Sequence, residues 1–291
     1  MTARKAVLAG SWYPGSAAGC RREIETFLEE IDFTDHSGRK FVGGIVPHAG
    51  WYYSGSIACN VIRGLAEKDD PVDVVVVFGM HLHPRSPNYI MAEGSWETPL
   101  GDIEIHSGLA AELTKRFDFT IETARHFTQD NTIEVQLPFI KYFLRNARLV
   151  PMGVPPDQKS LDIGKAVVDI ARGMGLRIKV IGSTDLTHYG TNYGFMPRGA
   201  ASKALDWVTT ENDAGVISAM IQMNPEKVLD QGLTRQNACC SGAAATAITA
   251  AVQLGATSAE TVKYATSFEK SPGDSFVGYV GLLFGQSEPV P

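Results

Sequence analysis

The 291 residues are 44% hydrophobic and carry a formal net charge of −6, which is ordinary for a globular chain and excludes a disordered one. No block of Lys or Arg exceeds three residues, so neither nucleic-acid binding nor docking on an anionic membrane is expected. The most apolar short run, Val72 to Phe78, is far below the roughly 20 residues that span a bilayer, and Met1 to Gly10 does not read as a signal peptide, so the cytoplasm is the expected compartment.

In chain order the pattern predicts a helix over Arg21–Ile31, a strand over Phe41–Val46, a helix over Ile57–Glu67 and a strand over Val72–Phe78. A strand over Asn88–Met91 and helices over Gly108–Arg116 and Thr132–Leu144 follow. Next come a strand over Arg148–Val154, a helix over Gln158–Arg172 and a strand over Arg177–Gly182. Helices over Ala200–Ile221 and Gly242–Leu254 precede strands over Val262–Ser267 and Phe276–Phe284, with Gly285–Pro291 as a loose end. The helices repeat apolar residues at three- and four-residue spacing, as in Ile163, Val167 and Ile170. Several strands are runs of Val and Ile, which suits burial on both faces. Such alternation predicts an α/β fold of three layers, αβα. No composition shift marks a boundary, so residues 1–291 are read as one domain.

Three of these strands run out into reactive side chains. Phe41–Val46 leads to His48, Val72–Phe78 leads to His81 and His83, and Arg177–Gly182 leads to Asp185 and His188. In open α/β sheets ligands bind beyond the carboxyl ends of the strands, so His48, His83, Asp185 and His188 are expected at one crevice. A lone histidine is more often a hydrogen-bonded loop residue, and it is the clustering that points to a site. His36 and His106 lie in polar loop sequence and are given no role. Four cysteines, Cys20, Cys59, Cys239 and Cys240, are too few and too scattered for a disulfide framework and read as free thiols or metal ligands. Cys239-Cys240 immediately precedes an Ala-rich helix, whose dipole favours a thiolate, the form that binds metal; an inert buried thiol is the competing reading. In the segment around Gln129–Phe139, Asp130 or Thr132 caps a helix and Glu134 sits in its first turn. Asp130 or Glu134 could also orient a metal-bound histidine. A phosphate-binding glycine loop, GxGxxG, HExxH and GxSxG are all absent. Ser183, Asp185 and His188 are too close along one loop for a hydrolase triad.

Five segments together resemble one family. Ala9-Gly10-Ser11-Trp12-Tyr13-Pro14 is similar to its AGSWYP opening, and Val46 to Gly55 to its PHAGYxYSG signature. Thr132 to Phe139 resembles SIEVQLPF, Ser183 to Tyr189 resembles SSDLSHY, and Ser275 to Val280 resembles the closing strand. On these motifs, in order along nearly the whole chain, the protein is identified as resembling the Memo family (mediator of cell motility), whose bacterial and archaeal members are often called AmmeMemoRadiSam system protein B. The resemblance implies the fold of class III extradiol dioxygenases, with a mixed and mostly buried sheet. Those enzymes hold Fe(II) with two histidines and a glutamate, and Memo proteins place a cysteine where the glutamate would be. Carried over, the metal ligands are His48, His83 and Cys239, with His81 competing with His83 and Cys240 with Cys239. His188 falls where the dioxygenases keep an acid/base histidine, with Asp185 beside it. The chain departs from the family in three places. Gly79-Met80-His81-Leu82-His83 replaces adjacent histidines, Asn131 replaces a histidine, and Cys240 replaces a glycine.

The resemblance thus implies one transition-metal ion, Fe(II) first, then Cu, then Zn, with open positions for substrate and dioxygen. His188 would take a proton from a small-molecule substrate. Arg85 would pair with an anionic substrate group, or is a plain surface arginine. Trp51, Tyr52 and Tyr53 would line a pocket or pack the core. The expected function is a dioxygenase-like oxidoreductase. A metal or redox carrier and a peptide-binding module on the same scaffold are the alternatives.

Overall fold

The computed structural model describes residues 2–33, 39–66 and 71–286. In chain order the elements are β1 (Ala3–Arg4), α1 (Ala17–Glu30), β2 (Phe41–Val46), α2 (Trp51–Gly64), β3 (Val74–Gly79), β4 (Asn88–Met91), β5 (Ser95–Trp96), β6 (Ile103–Glu104) and α3 (Ser107–Arg116). They continue with β7 (Phe119–Glu122), α4 (Asn131–Glu134), α5 (Leu137–Phe143), β8 (Arg148–Gly153), α6 (Gln158–Gly173), β9 (Ile178–Ser183), β10 (His188–Gly190) and α7 (Ala201–Trp207). The chain closes with α8 (Asp213–Ile221), α9 (Pro225–Arg235), α10 (Ser241–Gln253), β11 (Ser258–Thr266) and β12 (Ser275–Gly285).

A nine-stranded sheet runs β10-β12-β2-β9-β3-β8-β4-β7, with β11 paired to β12. Its centre, β2, β9, β3 and β8, is parallel. The flanks are mixed, because β12 lies antiparallel to β2 and β4 antiparallel to β8. Strands β1, β5 and β6 form a separate three-stranded sheet.

The strand β3 shows why three layers form. Val74, Val76 and Phe78 enter one apolar cluster with α6 and α10, through Ile163, Val167, Ala247 and Ile248. Val75 and Val77 enter the other, with Cys20, Ile24, Ile62, Phe139 and Ile140 from α1, α2 and α5. Every β3 residue is buried, so an unbroken Val run is what a central parallel strand requires. The α/β reading therefore stands, with a mixed sheet flanked by helices.

Four expected helices differ from those observed, the first in that α1 begins at Ala17, after its Ser16 cap, rather than at Arg21. The one placed at Thr132–Leu144 is two, α4 and α5, because Pro138 has no N–H to donate and sits in the first turn of α5. The one placed at Ala200–Ile221 is interrupted by a π-helical turn at Val208–Asn212. The helix expected from Ile57 begins at Trp51, where Gly50 is the N-cap residue, and the expected end at Glu67 lies outside the described residues. Helix α9 was not anticipated; Asn224 caps it and Pro225 starts it. His36 and the tail from residue 287 onward also lie outside the described residues.

Candidate metal centre

Strands β2, β9 and β3 are neighbours, so the loops leaving their carboxyl ends meet. The loop after β2 is fixed through its carbonyls. Gln136 donates to Pro47 O at 2.8 Å and Asn131 Nδ2 to His48 O at 2.8 Å. The His48 N–H donates to Asp185 Oδ1 at 2.7 Å, so the β9 loop orients the β2 loop. After β3 the chain turns at once, because Met80 has φ of +71°. Its N–H donates to Thr132 Oγ1 at 2.7 Å. A Cβ at Gly153 would lie 2.2 Å from Met80 Sδ, so the Met80 side chain packs on the bare glycine of β8.

That turn decides which histidine reaches the site. The His81 N–H donates to Asp130 Oδ2 at 3.1 Å and its Nδ1 to the same oxygen at 3.0 Å. Its Nε2 lies 3.2 Å from His48 Nε2. Counting from Gly79 puts His83 at the expected ligand position, whereas the ring the structure brings beside His48 is that of His81. His83 is exposed, its Nδ1 accepts from the Arg85 N–H and its N–H donates to Ser86 Oγ, as part of a local turn.

Cys239 and Cys240 come from the start of α10. The Cys239 N–H donates to Asp185 O at 3.1 Å and the Cys240 N–H to Thr184 Oγ1 at 3.0 Å. The Asp185 N–H points at Cys239 Sγ at 3.3 Å, and Cys239 Sγ is 3.3 Å from His48 Nε2. Gly242 seats the helix start tightly, since a Cβ there would meet Pro155 at 2.4 Å.

Hydrogen bonding fixes both imidazole tautomers. Ser183 Oγ gives its proton to Thr132 O at 2.7 Å, so toward His48 Nδ1, 3.0 Å away, it can only accept. Ionised Asp130 likewise only accepts from His81 Nδ1. Both Nδ1 atoms are thus donors, and two Nε2 lone pairs are left facing each other beside a thiol. Lone pairs this close repel unless a cation, a proton or a metal ion, lies between them, and a histidine held through Nδ1 is how proteins present Nε2 to metal. His48, His81, Cys239 and Cys240 bring one donor atom each to within 4.8 Å of one another. The donor set fits a transition-metal ion.

The electrostatics point the same way. Burial opposes a charge on His81, but Asp130 and Cys239 outweigh it and push its pKa up to about 10. His48 is likewise raised, with Asp185 and Cys239 overcoming its burial. Burial alone would raise the Cys239 thiol, yet Cys240, His48 and His81 hold it well below its ordinary value. Surroundings that raise the proton affinity of Nε2 also raise its affinity for a metal competing for the same lone pair.

The centre opens into a cleft of about 650 Å³ lined by Trp12, Tyr52, Tyr53, Tyr193, Tyr279, His188 and Asp185, among others. Among the described residues no Lys or Arg lines it. His188 Nδ1 donates to Leu186 O at 3.1 Å and its ring meets Tyr193 edge-on at 4.9 Å. Tyr52 and Tyr53 are cleft residues, whereas Trp51 is core, stacked on Phe139 at 4.1 Å. Arg85 belongs to the exposed turn at His83 and does not line the cleft. Glu134 does not reach a histidine. Its Oε1 accepts from Leu8 N at 2.6 Å and Tyr13 Oη at 3.0 Å, which ties down the segment before α1. His106 caps α3 by accepting from Leu109 N. Sequence reasoning missed Ser183 and Thr132 as supports of the two imidazoles, and Tyr193 and Tyr279 as cleft walls; a hydroxyl at a strand end carries no pattern that marks such a role.

Comparison with known proteins gives the family and the fold. The family model described as Memo-like protein matches residues 4–283. A MEMO1 family protein of Thermococcus onnurineus is 33% identical over 295 residues, covering 97% of this chain and 99% of that one. One of Methanopyrus kandleri is 32% identical over 292 residues, covering 97% and 98%. Among solved structures, an uncharacterized protein of Escherichia coli K12 has the same fold, with a TM-score of 0.56 at 11% identity over 84% of this chain and all of that one. No helix among the described residues is long and apolar enough to cross a membrane. The chain belongs to the Memo-like protein family.

Proposed function

We propose that this protein is a metal-dependent oxidoreductase of the dioxygenase-like type, acting on a small uncharged molecule bound in the aromatic cleft. The observation that carries the reading is the pair of Nε2 lone pairs, on His48 and His81, converging on Cys239 with both Nδ1 protons engaged elsewhere. A bound iron or copper ion would supply Lewis acidity and electron transfer to dioxygen. The chain supplies the rest. His188 keeps its Nδ1–H on Leu186 O, which leaves Nε2 to accept the proton of a substrate hydroxyl. Buried Asp185 holds the His48 backbone and borders the cleft. The tyrosines and Trp12 present ring faces and hydroxyls suited to a planar, hydroxylated ligand. The lack of a lining Lys or Arg among the described residues argues against an anionic substrate. The four free thiols suit the cytoplasm as the working compartment.

The test is anaerobic purification with elemental analysis of iron, copper and zinc, on the parent and on His48→Ala, His81→Ala and Cys239→Ser. Oxygen uptake with catechol-type compounds follows, with His188→Ala alongside. About one equivalent of metal per chain, lost in each ligand variant, with uptake that His188→Ala abolishes at unchanged metal content, is the expected outcome. A parent that takes up no metal on reconstitution ends the metal reading. Uptake indifferent to His188, or none with metal bound, leaves a carrier, which needs the ligands but not His188.

A further inference from the structure

The metal reading above uses three donors, and the structure offers a fourth. For bonds of about 2.0 Å to imidazole nitrogen and about 2.3 Å to thiolate sulfur, a tetrahedral centre has N···N, N···S and S···S edges of about 3.3, 3.5 and 3.8 Å. The observed separations are 3.2 Å for His48 Nε2 to His81 Nε2, 3.3 Å for His48 Nε2 to Cys239 Sγ and 3.8 Å for Cys239 Sγ to Cys240 Sγ. No pair among the four donors is farther apart than 4.8 Å. The longest separation therefore exceeds an edge by about 1 Å, which a side-chain rotation at the cysteines takes up.

Resting on that reading, we propose that Cys240 is a fourth ligand of the resting centre, one that an incoming substrate or dioxygen displaces. With it His48, His81 and Cys239 form a two-histidine, two-cysteine set that favours soft or borderline ions, copper(I) and zinc(II), and so points to copper among the metals of the oxidoreductase reading. Two thiolates match such ions better than one. The backbone supports the arrangement. The N–H groups of both cysteines are bonded to the Thr184–Asp185 turn, so the two thiols are held at one place between the β9 end and α10. Cys240 is buried at the edge of the apolar core, and its Sγ lies 3.8 Å from Cys239 Sγ.

The experiment compares the full chain with Cys240→Ala, Cys240→Ser and Cys239→Ser. Zinc(II) and copper(I) affinities are measured by chelator competition under anaerobic conditions, and cobalt(II) is loaded to count thiolates by its sulfur-to-metal charge-transfer absorption. Circular dichroism of each metal-free variant checks folding, and the serine variant keeps the side-chain volume should alanine disturb the core. Both Cys240 variants are expected to bind zinc(II) and copper(I) at least about tenfold more weakly and to lose about half the charge-transfer intensity. Unchanged affinities and intensity in both Cys240 variants, with loss only in Cys239→Ser, overturn the fourth ligand and leave the three-donor reading intact. A parent chain that binds none of these ions overturns both.

Discussion

His48 Nε2 and His81 Nε2 face each other at 3.2 Å, although the two residues leave different strands and each ring is anchored through its other nitrogen. Anchoring at Nδ1 is what makes the contact meaningful, because neither ring can present a proton from its own neutral tautomer. The first prediction follows from it. His81→Ala should lose bound metal, whereas His83→Ala should keep about one equivalent per chain, since only the former removes a lone pair from the centre. Elemental analysis of both variants after identical reconstitution decides this; retention in His81→Ala with loss in His83→Ala would reverse the assignment.

The anchors themselves should matter. Asp130→Ala frees the His81 ring and Ser183→Ala frees the His48 ring, without touching a donor atom. Each is expected to weaken metal affinity by about 10- to 100-fold. Asp130→Ala also removes the α4 cap, since Oδ1 accepts from Thr132 N at 2.8 Å, at a cost of about 1 kcal/mol of stability. Competition titration and urea denaturation separate the two effects. Metal affinity equal to the parent's in both variants would show that the rings are held by packing alone.

Glu134 should behave oppositely. It is buried and accepts from Leu8 N and Tyr13 Oη, and burial raises its pKa. Glu134→Ala strands a buried N–H and a buried hydroxyl, with an expected loss of about 2 to 3 kcal/mol, while Tyr13→Phe costs about 1 kcal/mol. Metal content should not change in either. A Glu134→Ala protein that is as stable as the parent but metal-free would place the carboxylate in the centre after all.

Asp213 gives the chain a pH dependence of its own. Its Oδ1 accepts from Thr187 N at 3.1 Å and its Oδ2 from Tyr264 Oη at 2.8 Å, yet burial pushes its pKa up to about 6 from 3.8. Because the folded value is the higher one, the folded state holds the proton more tightly. Its contribution is favourable below about pH 4 and is lost as the pH rises to about 6, by about 3 kcal/mol in all. Asp213→Asn removes this ionisation, so its stability relative to the parent should rise across that interval. Urea midpoints of metal-free protein at several pH values measure it. Parallel profiles for parent and variant would show that Asp213 ionises in the folded chain as it does in water.

The sequence by itself determined the layers and the address of the site. Runs such as Val74–Val77 suit central strands buried on both faces, and each central parallel strand delivers its following loop to the same edge, which put His48, Asp185 and His188 within one neighbourhood. The local motifs around Cys239 and Asp130 were legible for the same reason, since a thiol before an Ala-rich helix and a carboxylate at a cap have short-range physical signatures. What sequence spacing could not decide was which way each side chain turns. His81 enters the centre, rather than His83, because Met80 adopts a left-handed conformation, Gly153 leaves room for it, and Asp130 holds the ring from 49 residues away. Cys239 meets His48 across 191 residues of chain, and only the pairing of β2 with β9 and the seating of α10 bring them to 3.3 Å. Side-chain direction depends on backbone dihedrals and on partners remote in sequence, and those exist only once the tertiary structure has formed.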